Sequence, residues 1–232
     1  VYFQAYQMAY DLAKRAERSY KFELAGTKDS FVSYGYWDSL KKGLLAGEKL
    51  HNDLLRMDAS YLEKNKRTYE ITKHVSLSMV NPFALMQLKE NGMCYFDLPE
   101  EIFDLDHPGQ YLRRIKGVSI TIPCITGPYT GVNGRLTLLS NSIRNSTEVD
   151  ATDPSTYPKR TDGSEDRFIE NLGMLQSIAT SSARDDNGLF VFDFKDDRYL
   201  PFEGAGVISS WAFELPGTFR CFDYNSIADL LI

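Results

Sequence analysis

Residues 198–216 read RYLPFEGAGVISSWAFELP, and the fold of the second half of the chain turns on them. A G-x-G-x-x-G loop holds a pyrophosphate only where it follows a buried strand and opens a helix, whose amide dipoles then face the anion. Gly204 and Gly206 are present, but the third position is Ser209. Residues 207–215 are β-branched and aromatic with no helical cap, and the residues before the loop are charged and broken by Pro201. The segment after the loop is therefore a strand, and the phosphate reading fails.

Strand signals extend outward from it. Segments 93–98, 112–122, 132–140, 174–182, 188–194 and 206–215 are β-rich and bounded by turn residues. Val118, Ile120 and Ile122 alternate with Ser119 and Thr121, as a strand with one buried face requires. Asp186-Asn187-Gly188 predicts a hairpin, because Asn-Gly supplies the positive φ angles of a type I′ turn. Asn81 and Pro82 start a short helix over 82–88 as cap and first position. Residues 145–167 form a long polar loop almost without aliphatic residues, and no internal repeat is present.

The first 71 residues follow another period. Tyr2, Tyr6, Ala9, Ala13, Ala16, Tyr20 and Leu24 repeat by threes and fours, the seam of an amphipathic helix. A second helix is expected from around 31–37 to about Tyr69, with a stripe of Leu40, Leu44, Gly47, Leu50/His51, Leu54, Met57 and Tyr61. More than 30 residues at 1.5 Å each would make it about 45 Å long. Asp11–Arg15, Glu17–Lys21, Asp38–Lys42 and Glu63–Arg67 are acidic-first i,i+4 pairs that mark solvated faces. The expectation is a helical hairpin over 1–71, a piece of a longer helical assembly cut at Val1, and a β-sandwich over 72–232: an α+β chain.

Composition narrows the function. With 43% hydrophobic and 25% charged residues, the 232-residue chain is of ordinary globular character. The net charge is −6: residues 1–71 hold 12 basic against 10 acidic side chains, and 72–232 hold 14 against 22. Neither half has a dense basic face, which argues against nucleic acid. No apolar run approaches the roughly 18 residues that span a bilayer, and residues 1–10 lack the basic start and apolar core of a leader. Cys94, Cys124 and Cys221 are too scattered for a zinc site or a disulfide framework, and are read as buried thiols.

Chemistry is thinly represented. A G-x-S-x-G elbow is absent, and His51, His74 and His107 are dispersed, with nothing local to pair His107 with Cys94 or Cys124. Asp97, Asp104 and Asp106 beside His107 could offer oxygens to calcium or serve a hydrolase, but the loop lacks the ligand run and glycine of an EF-hand. Capping of turns and helix starts is the plainer role for these acids. Asn145-Ser146-Thr147 is a formal glycosylation triplet. The 14 Tyr, 14 Phe and 2 Trp fill cores or anchor partners, and loop aromatics such as Tyr129 and Phe202 are candidate contacts.

Several stretches in fixed order resemble the C-terminal region of the A component (TcA) of bacterial Tc insecticidal toxins. They are YGYWDSLKKGLLAGEKL (34–50), YEITKHVSL (69–77), FDLPEEIFDLDHPGQYLRRIKGVSITIPCITGPYTGVNGRLTLL (96–139), LQSIATSSARDDNGLF (175–190), RYLPFEGAGVISSWAFELP and FDYNSIADLLI. The resemblance covers nearly the whole chain except the 145–167 loop. It implies a non-enzymatic assembly domain, without catalytic, metal or cofactor residues, in a secreted or cell-surface toxin. Such domains belong to homopentameric subunits whose helices form a translocation channel, and bind the β-propeller of the B component (TcB), which carries TcC cargo. The family's chain usually continues past the equivalent of Ile232. The GAG loop would then be a tight turn at or near a subunit or partner surface. Partner contacts are expected in TGPYTGVNG (126–134), through Tyr129 and Asn133, and in RYLPFEGAG (198–206), through Phe202 and Glu203. A glycan-binding sandwich is the alternative.

Overall fold

The structure is a computed structural model describing residues 2–24, 29–37, 43–65, 68–127, 130–147, 166–171, 176–182, 189–192, 201–217 and 219–232. The chain forms two compact units, Val1–Ile71 and Thr72–Ile232. The first holds α1 (Tyr2–Glu23) and α2 (Leu44–Lys64). Ala13, Glu17 and Tyr20 are the buried residues of α1, whereas Ala9 and Ala16 of the expected seam are exposed. The core here is Ala13, Val32, Tyr36, Ala46 and Leu50, with Tyr6, Tyr10, Trp37 and Leu54 packed against it. Bulky rings, more than close helix approach, fill this unit. Leu40 and residues 38–42 lie outside the described residues.

At 21 residues, α2 is shorter than expected, because residues 31–37 are not helical. Glu17, 4% exposed, explains why. One of its carboxylate oxygens accepts from Ser30 Oγ at 3.0 Å, Phe31 N at 2.7 Å and Val32 N at 3.1 Å, and the other meets Lys14 Nζ at 3.0 Å. Ser33 N donates to the Tyr36 hydroxyl at 2.8 Å, and that hydroxyl bonds Asp53. Three consecutive amides thus bind side chains, and a helix through them would forfeit those bonds. Glu17 was expected on a solvated face opposite Lys21; it is instead the buried acceptor that shapes residues 30–32.

Burial alone would raise the Glu17 pKa, but the bonds from Lys14, Phe31, Val32 and Ser30 outweigh it and hold the carboxyl down at about 2, against an ordinary 4.5. A shift of that size is worth about 3 kcal/mol. Because the folded pKa is depressed, this stability is fully present above pH 4.5 and fades as the pH falls toward 2. Glu17→Gln is expected to lower the denaturant midpoint of this unit strongly at pH 6. The gap to the parent should narrow steadily on acidification; a gap that does not change with pH would contradict the assignment.

The second unit is built on antiparallel pairs. Its elements are α3 (Leu77–Val80), α4 (Pro82–Asn91), β1 (Met93–Leu98), α5 (Glu100–Asp104), β2 (Ile120–Pro123), β3 (Val132–Arg144), β4 (Phe168–Asn171), β5 (Gln176–Ser182), β6 (Leu189–Phe192) and β7 (Ile208–Glu214). The order β1-β7-β3-β4, with β5 also on β3, makes five strands; β2 and β6 make a second sheet. The chain is thus a mixed α+β fold. The expected 112–122 strand is confined to β2, and β4, ahead of which lies the polar loop, was not anticipated. Among the described residues β5 pairs with β3 and β6 with β2; the expected hairpin turn at 186–188 lies outside them.

Alternation fixes the register. Cys94, Phe96 and Leu98 of β1 point inward while Tyr95 and Asp97 face out. They share one core with Ile120 and Ile122 of β2, Val132, Leu136 and Leu138 of β3, and Trp211 and Phe213 of β7. Asn81 caps α4 through Ala84 N at 3.1 Å with Pro82 in the first turn, and Gly92 ends it at φ 75. The helix runs three residues beyond the expected 88. Of the thiols, burial pushes Cys94 up to about 12 and Cys124 up to about 11, while Cys221 is exposed and corrects the expectation of three buried cysteines. In the native protein a maleimide should label Cys221 alone; rapid labelling of Cys94 would contradict this core.

Candidate partner interface

The loop that opened the question is sewn into the second unit. Gly204 N donates to Ile115 O and Ile115 N to Ala205 O, both at 2.8 Å, and Gly206 N donates to Asn141 Oδ1 at 2.8 Å. A Cβ on Gly206 would stand 2.1 Å from Ser142 O, so the glycine serves close backbone approach to β3. No anion cradle is formed at this position; the turn instead carries Phe202 at φ 65 into the core.

Phe202 is 2% exposed and meets Trp211 edge-on, ring centroids 4.9 Å apart. Its expected role as an exposed anchor is therefore corrected: the ring is enclosed by this chain's own core. Glu203, next to it, is exposed. Asn133 is exposed on β3, in register with Ser181 of β5, and Tyr129 lies outside the described residues.

The described parts of the two candidate loops sit at opposite ends of the five-stranded sheet. Arg135, just after the 126–134 loop, pairs with Glu214, whereas Ser142, beside Gly206, pairs with Ile208. The intervening stretch of β3 is about 24 Å long at ~3.4 Å per residue. A single compact contact cannot centre on both. At the Gly206 end lies α5, and Lys73, near where the chain enters the unit, pairs with Asp106 just past that helix. The 126–134 end is thus the one remote from this point.

The Gly206 end is held by a buried ion-pair group that sequence reading missed. Arg144, 2% exposed, donates Nε to Glu100 Oε1 at 2.7 Å and Nη2 to Oε2 at 2.8 Å. Arg113 Nη1 lies 3.6 Å from Glu100 Oε1, and its Nη2 donates to Asp104 at 2.5 Å and to His107 O at 2.7 Å. Phe168 lies against the Arg144 guanidinium at 4.3 Å. The acids singled out in the sequence do not converge: Asp97 faces out of β1, Asp104 takes Arg113, and Asp106 takes Lys73, whose hydrogen bond holds its carboxyl below the usual range. Among the described residues no three His, Cys, Asp or Glu side chains gather as metal ligands, and no helix is long and apolar enough to cross a membrane.

The 126–134 end differs in character. Ile125 is 79% and Phe219 80% exposed there. Both were within reach of sequence reading as apolar residues set among turn residues, Phe219 two positions after Gly217.

Comparison with known proteins gives a consistent result. The family described as the Tc toxin complex TcA C-terminal TcB-binding domain matches residues 1–232. Toxin subunit YenA2 of Yersinia entomophaga is 40% identical over 219 residues, covering 92% of this chain but 16% of its own length. The cryo-EM structure of Morganella morganii TcdA4 aligns with a TM-score of 0.61 at 24% identity, over 94% of this chain and 10% of its own, a likeness of fold. The chain therefore spans a small part of these relatives.

Proposed function

This chain belongs to the family of TcA C-terminal TcB-binding domains of Tc toxin complexes, and from that premise we propose that it is a non-enzymatic assembly domain that docks the TcB component. The match along all 232 residues is the observation that carries the reading. In it, the first unit is a helical hairpin forming the upper part of the channel helices, and the second is a β-sandwich platform. The β-propeller of TcB meets that platform and joins the TcB–TcC cocoon to a homopentameric translocation channel in a secreted or cell-surface toxin. The end of the sheet bearing 126–134 is proposed as the contact. It is remote from where the chain enters the unit, and it offers exposed Asn133 to a partner, four positions after Tyr129 in the sequence. The other end holds Phe202 in the core and leaves Glu203 as its polar surface group.

Biolayer interferometry against the TcB component of the same toxin tests this, with a glycan array alongside. Saturable binding to TcB and a silent array are expected. Binding to a glycan without binding to TcB would overturn the proposal and favour a carbohydrate-recognition module.

A further inference from the structure

We propose that Ile125 and Phe219, with Arg220 beside them, are the anchors of the TcB contact, an inference that rests on the docking reading above and narrows it to named side chains. Scattered exposed apolar residues are common and carry no meaning singly. These two differ in their surroundings, which are bonded to the structured 224–226 segment or to α4. The Ser226 hydroxyl accepts from Ile125 N at 3.3 Å and lies 2.9 Å from Ile125 O. Phe219 is flanked in sequence by two groups that reach core residue Tyr224. On one side, Pro216 O accepts the Tyr224 hydroxyl at 2.6 Å; on the other, Arg220 donates to Glu90 O at 2.6 Å and lies over the Tyr224 ring at 4.8 Å.

Tyr224 is itself 1% exposed, so a core residue braces the segment. Two large apolar side chains thus stand in solvent at 79% and 80% exposure, one on a backbone bonded to Ser226 and the other next to a side chain fixed on the core. Anchors ordered before binding lose little conformational freedom on association. An aromatic and an arginine within a polar surround is also the composition of an interface hot spot. The matching TcB surface must supply apolar recesses for Ile125 and Phe219 and an acceptor facing Arg220. The family's description as a TcB-binding domain, together with the position of this patch at the end remote from where the chain enters the unit, selects TcB as the occupant.

The test compares the unaltered chain with Phe219→Ala, Ile125→Ala and Phe83→Ala for TcB affinity by biolayer interferometry. Phe83 is 76% exposed on α4 and serves as a control for general loss of surface apolarity. Because all three side chains are exposed, unchanged melting curves are expected. Phe219→Ala and Ile125→Ala should each weaken binding at least tenfold, with Phe83→Ala within twofold. If the unaltered chain binds and both variants stay within twofold of it, these anchors are overturned while the docking reading stands. An equal loss at Phe83→Ala would also overturn them, since the contact would not be confined to this end. Failure of the unaltered chain to bind TcB would overturn both.

Discussion

Alanine at Glu100 is expected to destabilise the second unit by about 3–5 kcal/mol, the range for removing one partner of a buried ion pair. Arg144 is 2% exposed and directs both Nε and Nη2 at that carboxylate, so the substitution removes two charge-assisted hydrogen bonds from a guanidinium in the core. Arg113 loses the same neighbour. Urea unfolding followed by the fluorescence of the buried Trp211, in a Trp37→Phe background, reads the loss directly. Replacing the pair together, Glu100→Met with Arg144→Leu, should recover much of it, because two apolar groups of suitable volume remove the cost of keeping that guanidinium buried. A Glu100→Ala loss below about 1 kcal/mol would show that the pair does not organise this end.

Phe202→Ala should cost a comparable 3–5 kcal/mol, as deletion of a buried aromatic ring does. The ring is 2% exposed against Trp211, and its removal leaves a cavity beneath a turn that is stitched to residue 115 and to β3. The affinity of the folded variant for TcB should nevertheless equal that of the parent, since this end of the sheet is not the proposed contact. Weakened binding with unchanged stability would reverse both statements.

The contrast between Phe202 and Phe219 marks the limit of legibility. Both are aromatic residues in glycine-containing loops, and only the path of the chain decides that one is enclosed and the other in water. Local signals were faithful where the physics is local. Asn81-Pro82 capped α4, and the alternation of Met93–Leu98 gave β1 its inward face. The residues after the GAG loop formed β7, paired to both β1 and β3. Signals that depend on distant partners misled. Glu17 has an i,i+4 basic neighbour, as solvated helix faces do, yet it is buried because residues 30–32 fold back onto it. Glu100 and Arg144, 44 positions apart, carry no mutual signature in a single sequence.

Hydrogen–deuterium exchange of the chain alone and bound to TcB tests the central claim most directly, because one measurement reports on both ends of the sheet. Protection on TcB binding is predicted in peptides covering 124–134 and 214–224, with peptides over 201–206 and 100–107 unchanged. Protection confined to 201–206 and 100–107, or none anywhere at saturating TcB, would contradict the account.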